Sequence, residues 1–251
     1  MVSGSSGGNL KYLLTLLLLL PSTVFASCKH DTFNKLSKKT GVTIHCDFDY
    51  ESYFDSYLKG GCITLQGKNP QFSNQSKIAN VIQKFLDAYP KETLTKNLDE
   101  IFLLSDFYCG GINYGGTCSY KSIYIEVSEY TSEQWLIEAL HHEFSSVLWR
   151  NNKRLLPKEK MMSISGADSY SDLVMFECYT TEDCRVENHK LLQQGFLFLY
   201  NKTNVENDIN IYAEYLFTNR KHLMELAKKY PLVDRKVKLI KKFYNDIGVP
   251  I

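Results

Sequence analysis

The residues best suited to chemistry in this chain are His142 and Glu143, within the stretch Glu138 to Arg150, EALHHEFSSVLWR. On a helix, two histidines four positions apart reach one zinc ion from the same face. A glutamate beside the first polarises the metal-bound water and takes its proton. His142 and Glu143 supply the first ligand and the base of that pattern, but Ser146 stands where the second histidine belongs. A neutral hydroxyl is a poor zinc donor beside imidazole. Contacts to a ligand are already worth about 10–100-fold in metal affinity, so losing a ligand outright costs more.

Three other residues are candidates to complete the set. His141 adjoins His142 but points about 100° away around a regular helix. Glu138 lies one turn before His142, on the same side. Glu214, in Tyr212-Ala213-Glu214, is a downstream carboxylate placed to reach the site from another helix. His-Glu is also a common dipeptide, and a helical histidine beside a carboxylate is more often a hydrogen-bonded structural pair than a metal ligand. His189 and His222 are remote in sequence, and only the fold decides where they lie.

The helix carrying the motif has its own start signal: Thr131 as N-cap with Gln134 three residues later forms a capping box, and Glu133 complements the positive helix end. Leu136, Leu140, Phe144, Val147 and Leu148 share one face, the core face. His142 and Ser146 lie opposite with Trp135 and Ala139, flanked by Glu143, as a cleft wall would.

Upstream, Ser76 to Pro90 places Ile78, Val81, Ile82 and Phe85 at helical spacing and predicts a helix ending at Tyr89-Pro90. Asp99 to Phe107 reads as a buried strand and CGGINYGGTC as a loop or wide turn. Lys121 to Val127 reads as a strand antiparallel to the previous one. Downstream, residues 151 to 176 read as an irregular connection containing Pro157 and Gly166. Helices are expected near Glu187 to Gln194 and at Glu206 to Phe217, with Asn207 and Asp208 as N-cap candidates. Two more follow near the C-terminus, the last stopped by Gly248.

This order, with LHHEFSSVL and the later GFLFLY and NDINIYAE, resembles the zinc-binding metallopeptidases found as bacterial surface lipoproteins, of gluzincin type. The resemblance covers roughly Ser76 to Tyr244. It implies an α+β, zincin-like single domain with a small antiparallel or mixed sheet packed on the active-site helix and a mainly helical C-terminal part. It also implies zinc as cofactor, Glu143 as catalytic base, and His142 and Glu214 as ligands. The chain departs from the family pattern at Ser146. The function expected is extracytoplasmic peptide-bond hydrolysis by a metal-activated water. The alternative is a non-catalytic zincin-fold surface lipoprotein that binds rather than cuts. The partner is a peptide or protein in either case. Residues 28–251 form the expected domain, and 28–75 an N-terminal extension of unassigned structure.

The N-terminus agrees with an extracytoplasmic setting. Lys11 precedes the apolar run Leu13 to Leu20 and Pro21, a signal peptide over residues 1–27. Val24-Phe25-Ala26 suits ordinary cleavage, whereas Phe25-Ala26-Ser27-Cys28 resembles a lipobox that would make Cys28 a lipid anchor to the membrane. Seven cysteines is an odd number. Setting Cys28 aside leaves three local couples: Cys46 with Cys62, Cys109 with Cys118, and Cys178 with Cys184. This is one of several connectivities that six cysteines allow. None of the spacings is that of a cysteine zinc site, so disulfides are expected. Two glycosylation sequons, Asn74-Gln75-Ser76 and Asn201-Lys202-Thr203, matter only in a eukaryotic secretory pathway. Net charge is +1 with no concentrated basic surface, which argues against nucleic acid as a partner.

Overall fold

The computed structural model describes residues 30–47, 54–62, 64–71, 74–171, 173–180 and 182–251. The leader and Cys28 lie outside these residues. The first part of the chain runs α1 (His30–Thr40), β1 (Thr43–His45), α2 (Ser56–Gly61), β2 (Leu65–Lys68), α3 (Gln75–Asp87) and α4 (Lys91–Asn97). The sheet is completed by β3 (Glu100–Cys109), β4 (Ile112–Asn113), β5 (Gly116–Cys118) and β6 (Ser122–Glu126). Helices then dominate: α5 (Glu133–Asn151), α6 (Lys158–Ser165), α7 (Leu173–Thr180), α8 (His189–Gln193), α9 (Val205–Thr218), α10 (Arg220–Lys229) and α11 (Pro231–Asp246). The architecture is α+β, with one open mixed sheet of six strands and a helical C-terminal part.

Strand β3 is the centre of the sheet. It pairs in parallel with β1 on one side and β6 on the other, and β5 closes the order β1-β3-β6-β5. Alternation along the strands divides the sheet's two faces. Ile101, Leu103, Ile123 and Ile125 join the main core with the helices. Phe102, Leu104, Phe107 and Tyr124 pack with Phe54 and Leu58 in a smaller cluster.

The expectation that the β3 and β6 segments are antiparallel is wrong, because the glycine-rich link reverses twice. Gly110 and Gly111, at φ of 59° and 82°, turn the chain from β3 into β4. β5 continues in the same downward sense, antiparallel to β6. A second reversal at residues 119–121 sends β6 up beside β3.

Helix α3 buries Ile78, Val81, Ile82 and Phe85 as its spacing requires. Helix α5 begins one residue later than its sequence suggests. Ser132 is the N-cap and its Oγ accepts from the Trp135 N–H at 3.1 Å, while Thr131 Oγ1 accepts from the Ser128 N–H. Residues 151–176 are not an irregular connection. Pro157 is the N-cap of α6 and Gly166, at φ 92°, its C-cap, so the two breakers delimit a helix. Helix α9, by contrast, starts early: Asn204 is its N-cap and accepts from the Asn207 N–H at 2.8 Å.

Two of the three expected disulfide pairings are overturned. Strand β2 lies antiparallel to the end of β3 with Leu65 opposite Cys109, which brings Cys62 to that cysteine. Cys62 and Cys109 form the bond, with Cα atoms 5.6 Å apart. Cys46 is disulfide-bonded elsewhere. Cys118 is a buried free thiol, because β5 turns it inward against α5. Cys178 and Cys184 pair as expected.

A buried ion pair anchors α9. Lys236 of α11 and Asp208 of α9 are both fully buried, with Nζ donating to Oδ2 at 2.7 Å. Asp208 also accepts from the Tyr170 hydroxyl at 2.7 Å and from Asn201 Nδ2 at 2.9 Å. The ammonium lies 3.9 Å from the Phe196 ring centroid. Desolvation pushes the Lys236 pKa down, and Asp208 opposes that shift. Removing one member of such a pair leaves an uncompensated buried charge, at a cost of about 3–5 kcal/mol. Lys236→Met is therefore expected to lose that much unfolding free energy in a urea titration. The double variant Lys236→Met/Asp208→Asn should recover much of it.

Candidate functional site

Helix α5 divides as its sequence predicts. Leu136, Leu140, Phe144, Val147 and Leu148 are at most 1% exposed, against the sheet and α3. The opposite face presents Trp135, Ala139, His142, Glu143, Ser146 and Arg150 to a cavity of about 390 Å³. Asn207 and Asn210 of α9, Tyr200 and Arg185 line it across from α5, and Gly115 to Thr117 close one side. The glycines let the strand lie against the helix. A Cβ on Gly115 would come within 2.9 Å of the Trp135 ring, and one on Gly116 within 3.3 Å of Glu143 Oε1.

Helices α5 and α9 run antiparallel and meet through three polar rungs, each four residues from the next on both helices. His142 Nδ1 lies 3.4 Å from Glu214 Oε2. Asn210 Nδ2 donates to Ser146 Oγ at 2.7 Å. Arg150 pairs with Glu206 at 2.6 Å and also donates to the Cys118 carbonyl at 2.9 Å. Glu214 is 1% exposed, and its Oε1 accepts from the Arg185 guanidinium. Its Oε2 and Asn210 Oδ1 are buried without a hydrogen-bond partner among the described residues.

The structure thus brings His142, Glu143, Ser146 and Glu214 together. His141 is not with them, because the turn of the helix carries it into the aromatic core. It is 2% exposed and stacked on Phe217 with ring centroids 4.5 Å apart, and its Nδ1 bonds the Tyr89 hydroxyl at 2.8 Å. Burial drops its pKa to about 3, so it is neutral. Glu138 hydrogen-bonds Gln134 at 2.5 Å and senses both Glu214 and Arg185; burial raises its pKa. His189 pairs with the Tyr230 hydroxyl and His222 with Glu187, and neither lines the cavity.

Glu143 is held in the cleft wall, and burial is the main cause of its raised pKa. His142, the Cys118 thiol and Arg150 pull the other way, and Glu206 adds to the rise. The Cys118 thiol, kept protonated chiefly by burial, hydrogen-bonds Ser146. Sequence reasoning missed Arg150, Arg185, Glu206 and Asn210. The first, third and fourth were detectable, since 142/146/150 and 206/210/214 share one four-residue spacing.

Does this donor set suit a zinc ion? Two ligand atoms at tetrahedral corners, about 2.0–2.1 Å from the metal, lie about 3.3 Å apart. The His142–Glu214 separation matches that, and the orphaned Glu214 oxygen is consistent with it. The third corner is missing. Ser146 Oγ is occupied by Asn210, and no group of three His, Cys, Asp or Glu side chains is arranged for a metal among the described residues. Arg185 adds a positive charge at the carboxylate that would have to be the ligand. The residues present do not fit a catalytic zinc.

No protein-family model and no curated protein sequence matches the chain. Among solved structures it is similar to the crystal structure of a putative zinc-binding metallo-peptidase from Bacteroides caccae. The two are 14% identical, 89% of each chain is covered, and the TM-score is 0.54. Likeness at this identity establishes a metallopeptidase-like fold and nothing finer.

Two outcomes follow from the site. Ser146→Ala strips Asn210 of its partner in a buried setting, where an unsatisfied polar group costs about 1–3 kcal/mol; chemical denaturation should show a loss of that order. Glu143, with its folded pKa raised, binds protons more tightly folded than unfolded. It is therefore neutral and harmless below the unfolded value of about 4.3, and destabilises as pH rises through the raised folded value. Glu143→Gln should raise the melting temperature at neutral pH, and the difference should vanish in acid.

Proposed function

We propose that this protein is a non-catalytic, extracytoplasmic zincin-fold protein whose cleft binds an extended peptide or protein segment. The observation that carries this reading is the Ser146–Asn210 hydrogen bond, which fills the rung where the fold's second zinc ligand would stand. The cleft itself persists, with Trp135 and Tyr200 as aromatic walls and Glu143 at its side. Strand β5, at the end of the sheet order, borders it. An extended segment can add to such an edge through main-chain hydrogen bonds while side chains enter the cavity.

A second reading keeps peptidase activity, with Glu143 as base and zinc held only by His142 and Glu214. It is favoured by the 3.4 Å approach of those two residues. The two readings share the fold and differ in whether a third donor is required.

The leader sequence and the disulfides support an extracytoplasmic location. A lipid thioether at Cys28 would tie the protein to a membrane. Intact mass of the mature protein distinguishes an acylated Cys28 from an unmodified one.

Metal analysis of protein purified without chelator should find no stoichiometric zinc, and incubation with unfolded casein should yield no cleavage. Fluorescence polarisation against a labelled random-peptide pool should show binding by the metal-free protein. Ala139→Trp, which fills part of the cleft, should abolish it. Stoichiometric zinc with casein cleavage would overturn this reading in favour of the second.

A further inference from the structure

We infer that Arg185 is the resident cation of this site: its guanidinium takes the place of the metal's charge beside Glu214, and with Ser146 it keeps metal out. This rests on the reading of the cleft as metal-free. A ligand carboxylate in a zinc centre tolerates burial because a dication faces it. Glu214 is as enclosed as such a ligand, at 1% exposure, and the charge facing its Oε1 is Arg185. His142 lies on the other oxygen.

Arg185 comes from neither site helix. It ends the short turn Glu182–Arg185, one residue after Cys184, whose disulfide to Cys178 closes that segment. Its guanidinium carbon lies 5.9 Å over the Phe198 ring. Both Cys184 and Arg185 line the cleft. The charge is permanent, since a guanidinium is not deprotonated in proteins. A dication approaching Glu214 would therefore meet a fixed like charge and a carboxylate already neutralised. Two changes thus separate this site from a metal centre, and restoring the histidine at position 146 alone addresses only one.

The test compares the wild-type protein with S146H, R185A and the double variant S146H/R185A. Zinc affinity is read by competition with a chromogenic chelator, and melting temperature is recorded in EDTA and in zinc. Wild type should melt identically in both. R185A should melt lower in EDTA, with Glu214 deprived of its partner, and S146H/R185A should regain that stability in zinc. S146H/R185A should bind zinc at least about tenfold more tightly than S146H, the scale on which contacts to a ligand act.

Should R185A fail to fold without zinc, E214Q/R185A removes both charges. It should fold with a melting temperature near wild type and ignore zinc. Equal zinc affinity of S146H with and without Arg185, or an E214Q/R185A protein as unstable as R185A, would overturn the inference. The peptide-binding reading is judged separately, on metal-free wild-type protein.

Discussion

The antiparallel packing of α5 on α9 is the constraint on which the rest of this structure depends. Four residues of helix advance the chain by about 6 Å, so polar side chains at that spacing on both helices meet as rungs. His142 meets Glu214, Ser146 meets Asn210, and Arg150 meets Glu206. The rungs set the register of the two helices, and the apolar face of α5 behind them packs on the sheet. Every other feature of the cleft is placed relative to this pair. Strand β5 lies against α5 through two glycines, and the Lys236–Asp208 pair ties the start of α9 to the last helix.

Charge is compensated along this interface in a way that bears on chemistry. Asp208 has Lys236, Glu206 has Arg150, and Glu214 has Arg185. The fully buried Lys236–Asp208 pair adds little net stability but is costly to break, because a lone charge there has no water to return to. A zinc centre needs the opposite arrangement, with carboxylate and imidazole donors left uncompensated until the metal arrives. Here the compensation is internal. Burial raises the pKa of Glu143, with His142, the Cys118 thiol and Arg150 opposing.

The likeness to a metallopeptidase-like structure at 14% identity is one of fold. The frame is held by apolar packing of strands and helices, which tolerates wide sequence change while volume and pattern persist. A metal site has no such tolerance, because each ligand supplies a large, directional share of the binding.

Much of this protein was determined by the sequence alone. The periodicity of Leu136, Leu140, Phe144, Val147 and Leu148 set the core face of α5, and with it the cleft position of His142, Glu143 and Ser146. The α+β class and the last helices followed from the same kind of pattern, since local spacing dictates which face is buried. What only the tertiary structure decided were the contacts between segments far apart in the chain. Strand pairing put Cys62 against Cys109 and left Cys118 free, where proximity in sequence suggested otherwise. The double reversal between β3 and β6 made them parallel. The register of α9 on α5 gave Ser146 a hydrogen-bonding partner, and a disulfide-closed turn delivered Arg185 to Glu214. Ser146, one turn after His142, was visible in the sequence. That it bonds Asn210 and that Glu214 pairs with Arg185 was not, because hydrogen bonds and ion pairs act through distances in space that residue spacing along one helix does not encode.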